Sequence, residues 1–173
     1  DQKYICLPEY TKEGIQIAQK FNYKPILIKE NIGILEGFKK LAEKMPKGPI
    51  LLLENDLELI QENKITFNQL KEAIDLLAKL KVIQVRLRSI SNPGEPFESL
   101  KKYKQYWSDN IISRLKRFLR PRKAQKLIGT STYLLEKPEK RHSNDIKKLS
   151  NGFFLLSSKV LNWANLAILV DRD

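Results

Sequence analysis

The sequence predicts an α/β domain with a central, mostly parallel sheet flanked by helices. Two patterns carry that prediction. Short apolar runs alternate with segments whose apolar residues recur at helical spacing, the order of successive βα units. One run, Gly48-Pro49-Ile50-Leu51-Leu52-Leu53, also ends abruptly in Glu54-Asn55-Asp56, as a buried strand ends where it reaches the loop edge of a sheet.

Residues 3–7 (KYICL) read as a first strand, stopped by Pro8. Thr11 is a candidate N-cap for a helix whose stripe is Ile15, Ala18 and Phe21. Residues 25–29 (PILIK) read as a second strand. Residues 34–44 carry Ile34, Leu35, Phe38, Leu41 and Ala42 at amphipathic-helix spacing. The strand ending at Glu54 follows, then a helix over 65–80 with Leu70, Ile74, Leu77 and Ala78 on one face, then a fourth strand over 82–87 (VIQVRL).

Beyond that the pattern changes. Asn92-Pro93-Gly94-Glu95-Pro96 is a turn cluster. Residues 97–119 are helix-compatible and strongly basic, and residues 131–135 (STYLL) are strand-like. Residues 137–148 (KPEKRHSNDIKK) are polar, which predicts a mobile loop with His142 at the surface. Residues 153–156 read as a strand, and Ser157 or Ser158 as the cap of a helix through Val160, Leu161 and Ala164.

The 173 residues, 42% of them hydrophobic, suffice for one domain with a sizeable core. The formal charge of +12 attracts polyanions: nucleic acid, anionic lipid or phosphorylated substrates. Cys6 is the sole cysteine, which excludes an internal disulfide and a cysteine-based zinc site. His142 is the sole histidine, which excludes a multi-histidine metal site. No stretch approaches the roughly 18 uninterrupted apolar residues of a membrane span, and the expected location is cytoplasmic.

In a strand, residues i and i+2 point to one side, so Glu54 and Asp56 project together at the carboxyl end of the third strand. Open α/β sheets bind ligands at that edge. Two carboxylates there suit Mg²⁺ or Mn²⁺; the alternative is a strand end with two solvated acids. Asn31 and Gly33 follow the second strand and reach the same kind of edge. Asn31 offers an amide to a ligand or caps the next helix, and Gly33 permits close backbone approach. Arg86 and Arg88 alternate along the fourth strand, suited to a structural salt bridge or to phosphate.

The combination of Asn31-x-Gly33, a helix and then ILLLEND resembles the nucleotide-sugar half of a family 2-like glycosyltransferase with the GT-A fold. The resemblance covers roughly residues 3–90, with VRLRS, NGFFLL and LNWANL as weaker echoes. It implies one domain over 1–173, with a nucleotide-sugar-binding half at 1–90 and an acceptor-side half at 91–173. It implies that Glu54 and Asp56 bind Mn²⁺ or Mg²⁺, and that Asn31, Gly33, Arg86 and Arg88 contact a UDP- or GDP-linked donor. Trp163 and Asn165 are then candidates for touching a glycan, lipid or protein acceptor. Asp171 is the candidate catalytic base, ahead of Asp173 and Asp145, because it follows the apolar run LAILV. Besides the strand over 25–29 that leads into Asn31, only the strand over 3–7 precedes it, so the resemblance implies that one N-terminal βα element of the family is missing or altered. Residues 3–7 stand either for the family's first strand or for its second, with Glu9 in place of the expected acid.

Arg114, Lys116, Arg117, Arg120, Arg122, Lys123 and Lys126 form the densest basic run, interleaved with Leu115, Phe118 and Leu119. It reads as a solvated face, a peripheral membrane contact, or, less favoured, a nucleic-acid footprint. Tyr103, Tyr106 and Trp107 just upstream suit core packing or stacking on sugars. The rival to a transferase is therefore a non-catalytic basic α/β module, or a degenerate transferase domain.

Overall fold

A computed structural model describes residues 2–54, 57–90, 98–162 and 167–172. In chain order the elements are β1 (Tyr4–Pro8), α1 (Lys12–Lys20), β2 (Lys24–Ile28), α2 (Gly33–Lys44), β3 (Pro49–Leu52), α3 (Asn63–Leu80), β4 (Gln84–Arg86), α4 (Glu98–Trp107), α5 (Ile111–Leu119), α6 (Pro121–Lys126), α7 (Pro138–Arg141), β5 (Ile146–Lys148), β6 (Phe154–Leu156) and β7 (Ile168–Asp171). Short 3-10 helices cover Ile128–Tyr133 and Ser158–Val160. The chain divides into two compact units, Asp1–Leu87 with Leu166–Asp173, and Arg88–Asn165.

The first unit is built from the predicted βα alternation. Thr11 caps α1, its hydroxyl accepting from the Gly14 N–H at 3.0 Å. β1 and β2 pair in parallel, with α1 against β2 and α2 against β1. β3 and β4 do not join that pair; each lies antiparallel beside β7, in the order β3-β7-β4. The chain is thus mixed α/β with small sheets; the expected central parallel sheet is not shown, and among the described residues only β1 and β2 are parallel neighbours. The reason is the segment after Leu166, read as an apolar run, which returns as a strand between β3 and β4. Leu169 lies opposite both Leu51 and Val85, and Leu169 and Val85 are buried. α3 packs on β4 and β7 and buries Ala73 and Leu77.

The second unit departs further from the sequence reading. The basic helix over 97–119 is two helices: Asn110 interrupts it and caps α5, its amide oxygen accepting from the Ser113 N–H at 2.8 Å. The strand expected over 131–135 is instead the 3-10 helix Ile128–Tyr133, where the Thr132 hydroxyl bonds to the Gly129 carbonyl at 2.9 Å. Such local side-chain bonds compete with strand pairing. The loop expected over 137–148 holds α7 and β5, and β5 pairs with β6. Among the described residues, the helix expected after Ser157 is the 3-10 turn Ser158–Val160, capped by the Ser157 hydroxyl; Ala164 lies outside the described residues. Tyr103, Tyr106, Ala124 and Leu127 form one buried cluster, and Ile128, Ile146 and Val160 another; Trp107 packs against both.

Candidate functional site at the carboxyl edge of the first unit

Because β3 and β4 are both antiparallel to β7, they run parallel to each other. Leu52, Ile168 and Arg86 form one cross-strand row. Directly opposed residues share a face and neighbouring strands lie about 5 Å apart. The last residue of β3 and the last of β4 are thus about 10 Å apart on one edge.

Glu54 follows Leu52 by two residues and is half-buried; its carbonyl accepts from the Leu57 N–H at 3.4 Å. With the Gln84 amide oxygen turned toward it, the half-buried Arg86 donates through Nε at 3.1 Å and Nη2 at 3.2 Å. This intra-strand bridge fixes the guanidinium on the face that Gln84 shares. Arg88 belongs to the second unit, where burial lowers its pKa and Tyr133 acts the other way.

At the carboxyl end of β1 and β2, Pro8 stands opposite Ile28 and the Glu9 N–H donates to the Ile28 carbonyl at 2.8 Å. Asn31 follows, exposed, its side-chain oxygen accepting from the Gly33 N–H at 3.0 Å. Gly33 opens α2 with φ +76, and no atom lies within 4 Å of where a Cβ would stand. Asn31 therefore shapes the turn into α2, and the glycine supplies its left-handed backbone.

Asp171 is not brought to Glu54. It pairs with Pro49, the first residue of β3, so it lies at the opposite edge of that sheet. Three residues of strand separate the two edges, about 10 Å. Asp56, Trp163, Asn165 and Asp173 lie outside the described residues. Asp145 is in the second unit, three residues after His142, its N–H donating to the His142 carbonyl at 3.0 Å. Among the described residues no group of three or more His, Cys, Asp or Glu side chains is placed to hold a metal ion.

Two features of the second unit go beyond the sequence reading. One is an open cleft of about 480 Å³ lined by Ser99, Lys102, Lys123, Lys126, Leu127 and Asn162. Its signal is the spacing of Ser99 with Lys102 and of Lys123 with Lys126, i and i+3 on two helices. The other is His142, buried rather than at the surface, with Nε2 2.8 Å from the Tyr103 hydroxyl. Its polar neighbours in sequence hide it; Tyr103 and Trp107, one helical turn apart, were the only hint.

The chain matches no family model, no curated protein and no solved structure.

Proposed function

We propose that the chain is a cytoplasmic, GT-A-like glycosyltransferase that moves a sugar from a UDP- or GDP-linked donor, the donor lying at the carboxyl edge of the first unit. The observation that supports this best is the row Leu52–Ile168–Arg86, because it gives an acid-bearing strand end and a basic strand end a common edge. Asn31 and Gly33 would line the nucleotide, with backbone close enough to approach it.

Glu54 and Asp56 would hold Mn²⁺ or Mg²⁺. The donor set fits: Mg²⁺ is commonly held by one or two carboxylates, with water and substrate phosphates completing the shell. When bound, such an ion neutralises charge developing on the departing nucleotide diphosphate. Arg86 would offset phosphate charge. Trp163 and Asn165 stay on the acceptor side of the proposal through the family resemblance alone. Asp171 does not enter it as base, because a general base must lie within hydrogen-bond reach of the acceptor hydroxyl.

Calorimetric titration of UDP and GDP, with and without Mn²⁺, tests the reading. The expected result is metal-dependent binding of one nucleotide that disappears in Asp56→Ala and weakens in Arg86→Ala. Absence of binding by folded protein overturns it. The lysine-lined cleft favours a second reading, a non-catalytic basic module. That reading expects salt-sensitive binding of polyanions, indifferent to Asp56→Ala and weakened in Lys123→Gln/Lys126→Gln.

A further inference from the structure

α5 is inside out. Two of its polar side chains, Ser113 and Arg117, face the protein: Ser113 is buried, and its hydroxyl donates to the Gln105 carbonyl at 2.9 Å. The Arg117 guanidinium donates to the carbonyls of Tyr106 and Ser108 and stacks 5.0 Å from the Trp107 ring. Its apolar side chains face outward. Ile111, Ile112, Leu115, Phe118 and Leu119 are between 57% and 81% exposed, with Ile111 and Phe118 at the upper limit. At 3.6 residues per turn these five occupy an arc of about 120°.

The margins of the arc are basic. Lys116 adjoins Ile112 on one side and Arg114 adjoins Phe118 on the other, by the same helical geometry. Arg120, Arg122, Lys123 and Lys126 continue the positive charge through α6, and no acidic residue occurs from Ile111 to Lys126. No described helix is long and apolar enough to cross a membrane. Nine residues of helix span only about 14 Å, so α5 can lie on a bilayer but not through it.

We propose that α5 is a docking surface for an anionic lipid bilayer, its apolar arc entering the interface and its basic margins meeting lipid phosphates. Charge and apolarity together select this occupant. Nucleic acid would answer the arginines and lysines but leave five exposed apolar side chains without a role. A second copy would cover the apolar arc but press two basic margins together, without acids in α5 or α6 to offset them. A bilayer carrying anionic headgroups satisfies both, since amphipathic helices gain from buried apolar area and from each basic residue near the surface.

The test is flotation of the full chain with phosphatidylcholine vesicles that contain phosphatidylglycerol, against phosphatidylcholine alone. The expected result is partition onto the anionic vesicles, reduced about tenfold or more by Leu115→Ser/Phe118→Ser and by Arg114→Gln/Lys116→Gln. Arg114, Leu115 and Phe118 are exposed and Lys116 is half-buried at the margin of the arc, and circular dichroism and thermal melting verify that the variants fold. Failure to float with anionic vesicles, or flotation that neither double variant changes, overturns the proposal. A dimer by light scattering that Leu115→Ser/Phe118→Ser dissociates, without vesicle binding, assigns the arc to a second copy. Retention on nucleic acid that Arg114→Gln/Lys116→Gln abolishes but Leu115→Ser/Phe118→Ser does not, again without vesicle binding, assigns α5 to a polynucleotide; either result also overturns the bilayer.

Discussion

The Tyr103 hydroxyl and the His142 Nε2 stand 2.8 Å apart in the interior of the second unit, with the Trp107 ring edge-on to the imidazole at 4.6 Å between centroids. A neutral imidazole protonated at Nδ1 accepts the phenol hydrogen at Nε2. Burial favours that neutral form first, and the neighbouring Arg141 second, so the His142 pKa falls below its ordinary value; Asp145 opposes weakly. The same burial raises the Tyr103 pKa and keeps the phenol protonated. One hydrogen bond thus ties α4 to the segment after α7.

A pH dependence follows. With the folded pKa depressed, the unfolded chain binds a proton first as pH falls below about 6.5. Stability is full above that value and declines through the window down to the folded pKa, by at most about 1.4 kcal/mol per pH unit. Urea denaturation at pH 7.5 and pH 5.5 should show this loss in the wild type. His142→Gln should be less stable at pH 7.5 and lack most of the extra slope.

Gly129→Ala should be among the more damaging small substitutions. An added Cβ would stand 2.5 Å from Leu161 Cδ2 and 2.8 Å from the Val160 carbonyl oxygen. The leucine tip can swing away but the backbone oxygen cannot without moving the turn Ser158–Val160. Overpacking of this kind costs about 1–3 kcal/mol, so the melting temperature should drop by several degrees.

Gly33→Ala separates strain from contact. The position has open space but φ +76, so the cost is conformational alone, about 1 kcal/mol. If nucleotide approaches this backbone, titration should show affinity falling by more than the stability change accounts for. Asn31→Ala removes the bond to the Gly33 N–H and should cost about as much stability.

Arg117→Ala should destabilise the second unit by about 2 kcal/mol, since it removes two bonds to carbonyls and the stacking on Trp107. Arg117→Lys should recover only part of this, because an ammonium can still donate to the carbonyls that the single Nη1 serves but cannot stack a planar group on Trp107. Chemical denaturation of both variants gives the comparison.

The helices of the first unit were legible because their signals are local. Thr11 and the stripes of α1, α2 and α3 each lie within one element. What escaped is non-local. Nothing in four residues, ILVD, says that β7 pairs between β3 and β4 or runs against them. That direction decides which edge Asp171 occupies: the run LAILV marks it as the end of an element but does not say that this end lies opposite the one bearing Glu54. The shared edge of Glu54 and Arg86 also depends on that pairing, though both strand ends were recognisable. Residues 131–135 looked like strand through their Thr and Tyr content; packing of Gly129 under Val160 and Leu161 decides otherwise. His142 was misplaced because its burial comes from α4, far away in sequence.

The outward arc of α5 reverses the usual relation between hydrophobicity and mutational constraint. In most amphipathic helices a selection for folding and a selection for apolar side chains act on the same positions. Here folding constrains Ser113 and Arg117, whereas Ile111, Leu115 and Phe118 can accept polar replacements at little cost to the fold. A library screened only for folded protein should therefore drift toward polar residues along that arc. Any pressure that keeps it greasy comes from what the helix meets outside its own chain.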